Sequence, residues 1–250
     1  PTFTRNSKAY LSDGTEVDVG APRFEQGKFD KAVLVEEGTT NLCTNPSFET
    51  DLTGWGAHLG GGTSSRVTDQ KYYGNACLKI STTDTENGAE RWYAVANPGN
   101  YAGKTVSFSC MVKTSIPDKL KLRIREHDGN NNKWSDSPYH PGDGTWKKLS
   151  VTTTLRSTVT DLRLQIVAYA GIIGDFWCDG VQFEEKPYPT SFTPSTRSPE
   201  TLTIPTAGVL NPQEGAVAFW VYVNDASKYQ NRYSTIFMAD AGGNGKGIWL

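Results

Sequence analysis

The sequence predicts an all-β chain: an antiparallel β-sandwich of jelly-roll type, followed by part of a second β-sandwich. Three observations predict this. Apolar residues recur with period two in runs of seven to ten residues. Clusters of Gly, Asn, Asp and Pro separate those runs. No convincing amphipathic helix longer than two turns can be drawn.

Residues 1–40 read as a lead-in, with a turn at Asp13-Gly14 and a short strand at Ala32–Val35. Residues 41–187 read as one sandwich. In Lys104–Lys113, Val106, Phe108, Cys110 and Val112 share a face. In Leu120–Glu126, Leu120, Leu122 and Ile124 oppose Lys121, Arg123 and Arg125. In Leu162–Tyr169, Leu162, Leu164, Ile166 and Ala168 oppose Arg163, Gln165, Val167 and Tyr169. In Asp175–Phe183, Phe176 and Cys178 oppose Trp177 and Asp179. Residues 188–205 carry four prolines and read as a linker. Gly215–Val223, GAVAFWVYV, opens a further strand-rich unit over 206–250 that would need well over a hundred residues to be complete. That length, and a start at Pro1 without Met, suggest a fragment or a processed product.

The 250 residues carry a net charge of −2, with pI near 6.0, which gives no hint of nucleic acid or an anionic membrane as partner. No 18-residue apolar run suggests membrane insertion, and no signal-peptide pattern is present. Cys43, Cys77, Cys110 and Cys178 fit no zinc spacing. They read either as buried free thiols or as disulfide partners.

Catalysis finds no constellation. Glu36-Glu37 and Glu184-Glu185 are sequence neighbours, so on strands they point to opposite faces. They cannot flank a glycosidic bond as a carboxylate pair must. His58, His127 and His140 sit in no nucleophile context. Gly60-Gly61-Gly62 and Gly242–Gly247 lack the frame of a phosphate loop and read as turns, the second near Asn244-Gly245.

Several segments, in order, carry a resemblance: NPSFE (45–49), Gly54-Trp55, YYGNACLKI (72–80), KTVSFSCMVK (104–113), DGTWKKLSVTTT (143–154) and FWCDGVQFEE (176–185). Together they resemble a family 4/9-type carbohydrate-binding module over about 41–185. The flanks LVEEGTTNL (34–42) and GVQFEEKPYPTSFTPSTR (180–197) resemble the surroundings of such modules in phage tail and virion proteins. GKFDKAVLV (27–35), TLTIP (201–205) and GAVAFWVYV resemble strands of a laminin-G or concanavalin-like domain. If that holds, the sandwich is inserted into an outer one, and residues 32–35 should pair with 202–204.

The resemblance implies a structural calcium ion that ties the first strand to the last. Its carboxylates would be Glu49 and Asp179, with backbone oxygens near Ser47 and Lys79. Without metal, Glu49 would cap a turn and Asp179 would satisfy local N–H groups. It also implies a sugar site on a concave sheet, where aromatic rings meet pyranose faces and polar groups meet hydroxyls. The outward-phase set there is Arg123, Arg125, His127, Gln165, Tyr169 and Trp177, with Trp92, Tyr93 and Trp134 at the rim. Arginines on one strand hint at an anionic glycan, although Arg123 and Arg125 also suit a plain solvated face. Trp177 suits platform and packing equally, whereas Trp55 and Trp146 read as packing.

The resulting expectation is a non-catalytic module of a phage tail or virion protein that binds a bacterial cell-surface glycan. The alternatives are an accessory domain of a secreted glycoside hydrolase or lyase, at an extracellular location, and a purely structural interaction module. Tail fibres are usually trimeric, so the first reading carries a homotrimer with it, although no heptad run is present.

Overall fold

The structure, a computed structural model, describes residues 1–27, 30–58, 60, 62–83, 88–169, 171 and 173–205, and the backbone of two later strands. The chain divides into two compact units, Pro1–Pro205 and Thr206–Leu250.

Six short strands come first in the larger unit: β1 (Thr2–Thr4), β2 (Ala9–Tyr10), β3 (Glu16–Val17), β4 (Arg23–Gly27), β5 (Asp30–Leu34) and β6 (Thr39–Thr40). The sandwich follows, with β7 (Trp55–His58), β8 (Gly62–Val67), β9 (Cys77–Thr82), β10 (Ala89–Ala94), β11 (Thr105–Lys113), β12 (Leu120–His127), β13 (Asn132–Asp136), β14 (Lys147–Thr154), β15 (Asp161–Ala168) and β16 (Gly174–Glu184). Strands β17 (Thr196–Arg197) and β18 (Thr201–Thr203) close the unit. The front sheet has the order β13-β12-β15-β10-β7, and the back sheet β14-β11-β16-β9-β8. All pairings are antiparallel.

The alternation in the sequence decides which side chains fill the space between the sheets. Leu120, Leu122 and Ile124 of β12 and Leu162, Leu164 and Ile166 of β15 meet Val106, Phe108 and Val112 of β11 and Phe176, Cys178 and Phe183 of β16 in one buried core. Each such side chain stabilises the fold by about 1.5–3 kcal/mol. Trp55 is core, beside Phe48 and Tyr93. All four cysteines are buried and unbridged.

The phase changes once along β16. The register with β11 shifts between Ser109 and Met111, and Gly180 takes a φ of 60°. A Cβ there would meet the Tyr73 ring at 2.3 Å. Phe176 and Cys178 face the core before this bulge, Val181 and Phe183 after it.

The outer side of the back sheet is covered by the flanks. Tyr73, Met111 and Phe192 form a second apolar cluster, with Tyr10, Tyr72 and Trp146 packed against it. Tyr73 and Phe192 stack at 4.3 Å. The Asn41 amide donates to the Val181 and Thr193 carbonyls at 2.8 and 2.9 Å. The stretch 188–205, expected to be a linker, therefore contributes buried Phe192, Thr193, Arg197 and Glu200.

The pairings of the flanks differ from the nested arrangement expected. β5 pairs with β4, β18 with β1, and β17 with β6. Residues 32–35 thus do not pair with 202–204. Instead, Arg23 of β4 binds both Glu36 and Glu200 at 2.7 Å, fixing the β4–β5 hairpin beside residue 200.

In the second unit, β19 (Thr235–Ala239) pairs with β20 (Lys246–Trp249). Gly215–Val223 and the turn at Asn244-Gly245 lie outside the described residues.

Candidate functional site

The open face of the front sheet gathers most of the polar and aromatic residues singled out in the sequence. Register places them in rows across the strands. One row runs Asp136, Arg123, Gln165, Trp92, Gly56; a second runs Trp134, Arg125, Arg163, Ala94; a third runs Lys121, Val167, Glu90, His58. Five strands spaced about 4.8 Å apart make each full row about 19 Å long.

The cations on this face are paired. Arg123 donates two hydrogen bonds to Asp136, at 2.7 and 3.1 Å, and one to the Tyr169 hydroxyl at 2.7 Å. Arg125 donates to Asp161 at 2.5 Å, and Arg163 pairs with the same carboxylate at 3.1 Å. Lys121 binds Asp136. Its ammonium also lies 5.0 and 4.9 Å from the centres of the Tyr139 and Tyr169 rings. Burial would lift the Asp136 carboxyl, but Arg123 and Lys121 outweigh it and hold it below its ordinary value. The arginines read from sequence as a hint of anionic ligand are thus largely neutralised by neighbours.

The aromatics differ in availability. Trp134 on edge strand β13 is 54% exposed and Tyr139 is 39% exposed. Trp92 is held down: Arg163 lies 4.4 Å over its ring, and the ring rests so close to Gly56 that a Cβ would come within 2.3 Å. Gln165 donates to Glu90 at 3.0 Å, leaving its buried Oε1 without a hydrogen-bond partner. At the end of β12, the His127 Nδ1 accepts the Gly129 N–H at 3.0 Å.

Trp177 does not join this group. It stands on β16 of the back sheet, because β16 pairs with β11 and β9 while β12 pairs with β13 and β15. Lys79 and Lys113 lie 5.6 and 6.0 Å from its ring centre. Arg163, Asp136, Asp161, Glu90, Gly56 and Tyr139 belong to or border the face but were not singled out from sequence. For Arg163 the signal was present, since it shares the phase of Gln165.

The residues expected to hold calcium lie elsewhere. Asp179 accepts N–H groups of Tyr72, Tyr73 and Gly180 at 2.8, 2.8 and 2.7 Å. Glu49 accepts the Asn75 N–H at 3.0 Å, and a Cβ on Gly74 would fall 2.2 Å from its Oε1. Both carboxylates therefore hold the loop 72–75. Burial pushes the Asp179 carboxyl up to about 7, with Glu49 adding to the rise against the three N–H groups. Two hard carboxylates, Asp179 buried and raised in part by Glu49, are chemistry that suits calcium. Ser47 is buried nearby in the chain. The Lys79 ammonium is turned to Asp175 at 2.8 Å. Among the described residues no group of three or more His, Cys, Asp and Glu forms a metal cluster, so further ligands would be neutral oxygens of the backbone, of side chains or of water. No described helix is long and apolar enough to cross a membrane.

Residues 40–170 match the family model of a carbohydrate binding domain. No curated protein matches the chain. Among solved structures, the chain is similar to the CBM22-1 xylan-binding domain from Paenibacillus barcinonensis Xyn10C, with 23% identity and a TM-score of 0.49, over 60% of this chain and 97% of that one. It is similar to a xylan-binding domain from CBM 22, with 19% identity and a TM-score of 0.47, over 58% and 95%. It is also similar to the enzymatically active domain of bacteriophage CBA120 tailspike protein 4, with 14% identity and a TM-score of 0.46, over 57% and 21%.

Proposed function

The chain belongs to the carbohydrate binding domain family, a family of binding rather than catalytic domains, and from that premise we propose that it binds a polysaccharide on the open face of its front sheet. The observation that carries the placement is the set of cross-strand rows flanked by exposed Trp134 and Tyr139. An aromatic platform accepts a pyranose ring with little side-chain entropy to lose. The Arg123–Asp136 and Arg125–Asp161 pairs offer donors and acceptors already fixed in place. Because those charges are matched, the ligand they suit is a neutral, hydroxyl-rich glycan. His127 and Tyr169 border the same face, while Trp177 has no part in it.

Calcium would be held by Glu49 and Asp179, with backbone oxygens around Ser47. It would supply charge neutralisation between the first segment of the sandwich and its last strand. Its role is structural, remote from the sugar face.

The setting we favour is a phage tail or virion protein recognising a bacterial cell-surface glycan, with a homotrimer as its assembly. The flanking sequences support this, and they pack onto the back sheet. The second reading, an accessory domain of a secreted glycoside hydrolase or lyase, uses the same face. The full-length gene product separates the two.

A glycan array followed by calorimetry tests the placement. Loss of binding in Trp134→Ala and Arg125→Ala, with Trp177→Ala unchanged, is the expected result. Retained binding in the first two variants, or loss only in the third, overturns it.

A further inference from the structure

A cavity of about 250 Å³ opens at the end of the front sheet, where the third row passes from β15 to β10 and β7. At ~30 Å³ per water it has the space of about eight waters, enough for one pyranose ring. Val167 and Tyr169 line it with apolar and aromatic surface, and Glu90 and His58 supply its polar side chains. Glu90 stands directly opposite Val167 on one side and His58 on the other. The exposed Tyr139 ring meets Tyr169 edge-on at 5.9 Å, so the cavity adjoins the aromatic rim of the face.

Glu90 is fixed in place as a hydrogen-bond acceptor. Its Oε2 accepts the Gln165 amide at 3.0 Å, and Gln165 is itself buried, between Arg123 and Trp92 in its row. Its Oε1 accepts no hydrogen bond within the described chain. One oxygen is thus pinned while the other is open, on a half-buried side chain.

Glu90 also differs in charge from the other carboxylates of this face. Asp136 is tied to Arg123 and Lys121, and Asp161 to Arg125 and Arg163. Among the described residues no lysine or arginine lines the cavity or pairs with Glu90. The recess therefore carries an unmatched negative charge. Sugar hydroxyls can donate charge-assisted hydrogen bonds to it. A second carboxylate placed there would meet a like charge in a partly desolvated site, which disfavours an acidic ligand.

We propose that Glu90 makes this cavity the specificity-determining subsite of the sugar face, taking one neutral pyranose ring through its hydroxyls and turning uronic acids away. This subsite rests on the front sheet being the sugar face, as proposed above. The Arg–Asp pairs suit a neutral chain, whereas Glu90 acts against an acidic one. His58 offers a second hydrogen-bonding group across the strand, and Tyr169 and Val167 meet the CH faces of the ring.

The test is calorimetry of the full chain with xylohexaose, cellohexaose and β-1,4-galactan as neutral probes, and polygalacturonate and β-1,4-glucuronan as acidic ones. The parent should bind at least one neutral probe about tenfold or more tightly than either acidic probe. Glu90→Gln keeps the size of the side chain but removes the charge. It should narrow that ratio several-fold while melting like the parent. His58→Asp, at an exposed position, sets a second carboxylate opposite the first and should widen the ratio several-fold. An unchanged ratio in either variant overturns the proposal, as does equal binding of the two probe classes by the parent or no binding of any probe. Loss of neutral binding in Trp134→Ala together with an unchanged ratio in Glu90→Gln sinks this subsite alone. Parent-like binding in both Trp134→Ala and Arg125→Ala removes the face on which it stands.

Discussion

The Arg163 guanidinium carbon lies 4.4 Å from the centre of the Trp92 ring, and the same ring rests on Gly56. Trp92 is thereby fixed as part of the floor of the open front-sheet face instead of a free paddle. Gly56→Ala would drive a methyl group to 2.3 Å from the ring. It should cost about 1–3 kcal/mol of stability and, by lifting Trp92 into the face, weaken glycan binding. Urea melts paired with calorimetry check both effects; an unchanged affinity would place the ligand away from the Gly56 end.

Trp134 is exposed and on an edge strand. Trp134→Ala should leave stability within about 0.5 kcal/mol, as surface changes do. It should weaken glycan binding about tenfold or more, equivalent to at least about 1.4 kcal/mol. The pairing of lost affinity with kept stability distinguishes a platform from a packing residue.

Chelation with EDTA should lower the melting temperature by several degrees if calcium joins Glu49 and Asp179, and added calcium should restore it. Glu49→Gln should melt at the same temperature with and without chelator. Identical melting of the parent chain in both conditions removes calcium from the account.

Acid should loosen the junction between flanks and sandwich. Burial alone would raise the Glu36 carboxyl, yet Arg197 and Arg23 outweigh it and hold it below its ordinary value. On unfolding the carboxyl returns to that ordinary value. Its contribution is therefore present above the ordinary carboxylate range and is lost as pH falls through the folded value. Glu36→Gln should cost about 3–5 kcal/mol at neutral pH, since it strands buried charge, and should flatten the acid limb. Urea melts from neutral pH down to about pH 3 read both.

Much of the fold was legible because period-two runs fix which side of a strand is apolar. Leu120, Leu122 and Ile124 and their partners on β15 needed nothing more. Alternation does not say which sheet a strand joins, so Trp177 was grouped with Arg123 and Arg125 although it stands on the opposite sheet. Nor does it show partners distant in sequence. Arg125 looked bare until Asp161 was brought to it by the β12–β15 ladder. The prolines of 188–205 suggested looseness, but proline only forbids long strands. Phe192, Arg197 and Glu200 between them are buried by contacts with residues far back in the chain.

Thr2 is paired with Thr203 and Thr4 with Thr201. A pull on the two strands from just outside this pair is borne rung by rung, as in opening a zip, and not by the whole ladder in shear. A three-residue ladder loaded that way yields early. The sandwich behind it, with its longer interlocked strands, is spared until that first release is spent. The short β1–β18 pair is in this sense the part of the unit that tension on the two strands opens first.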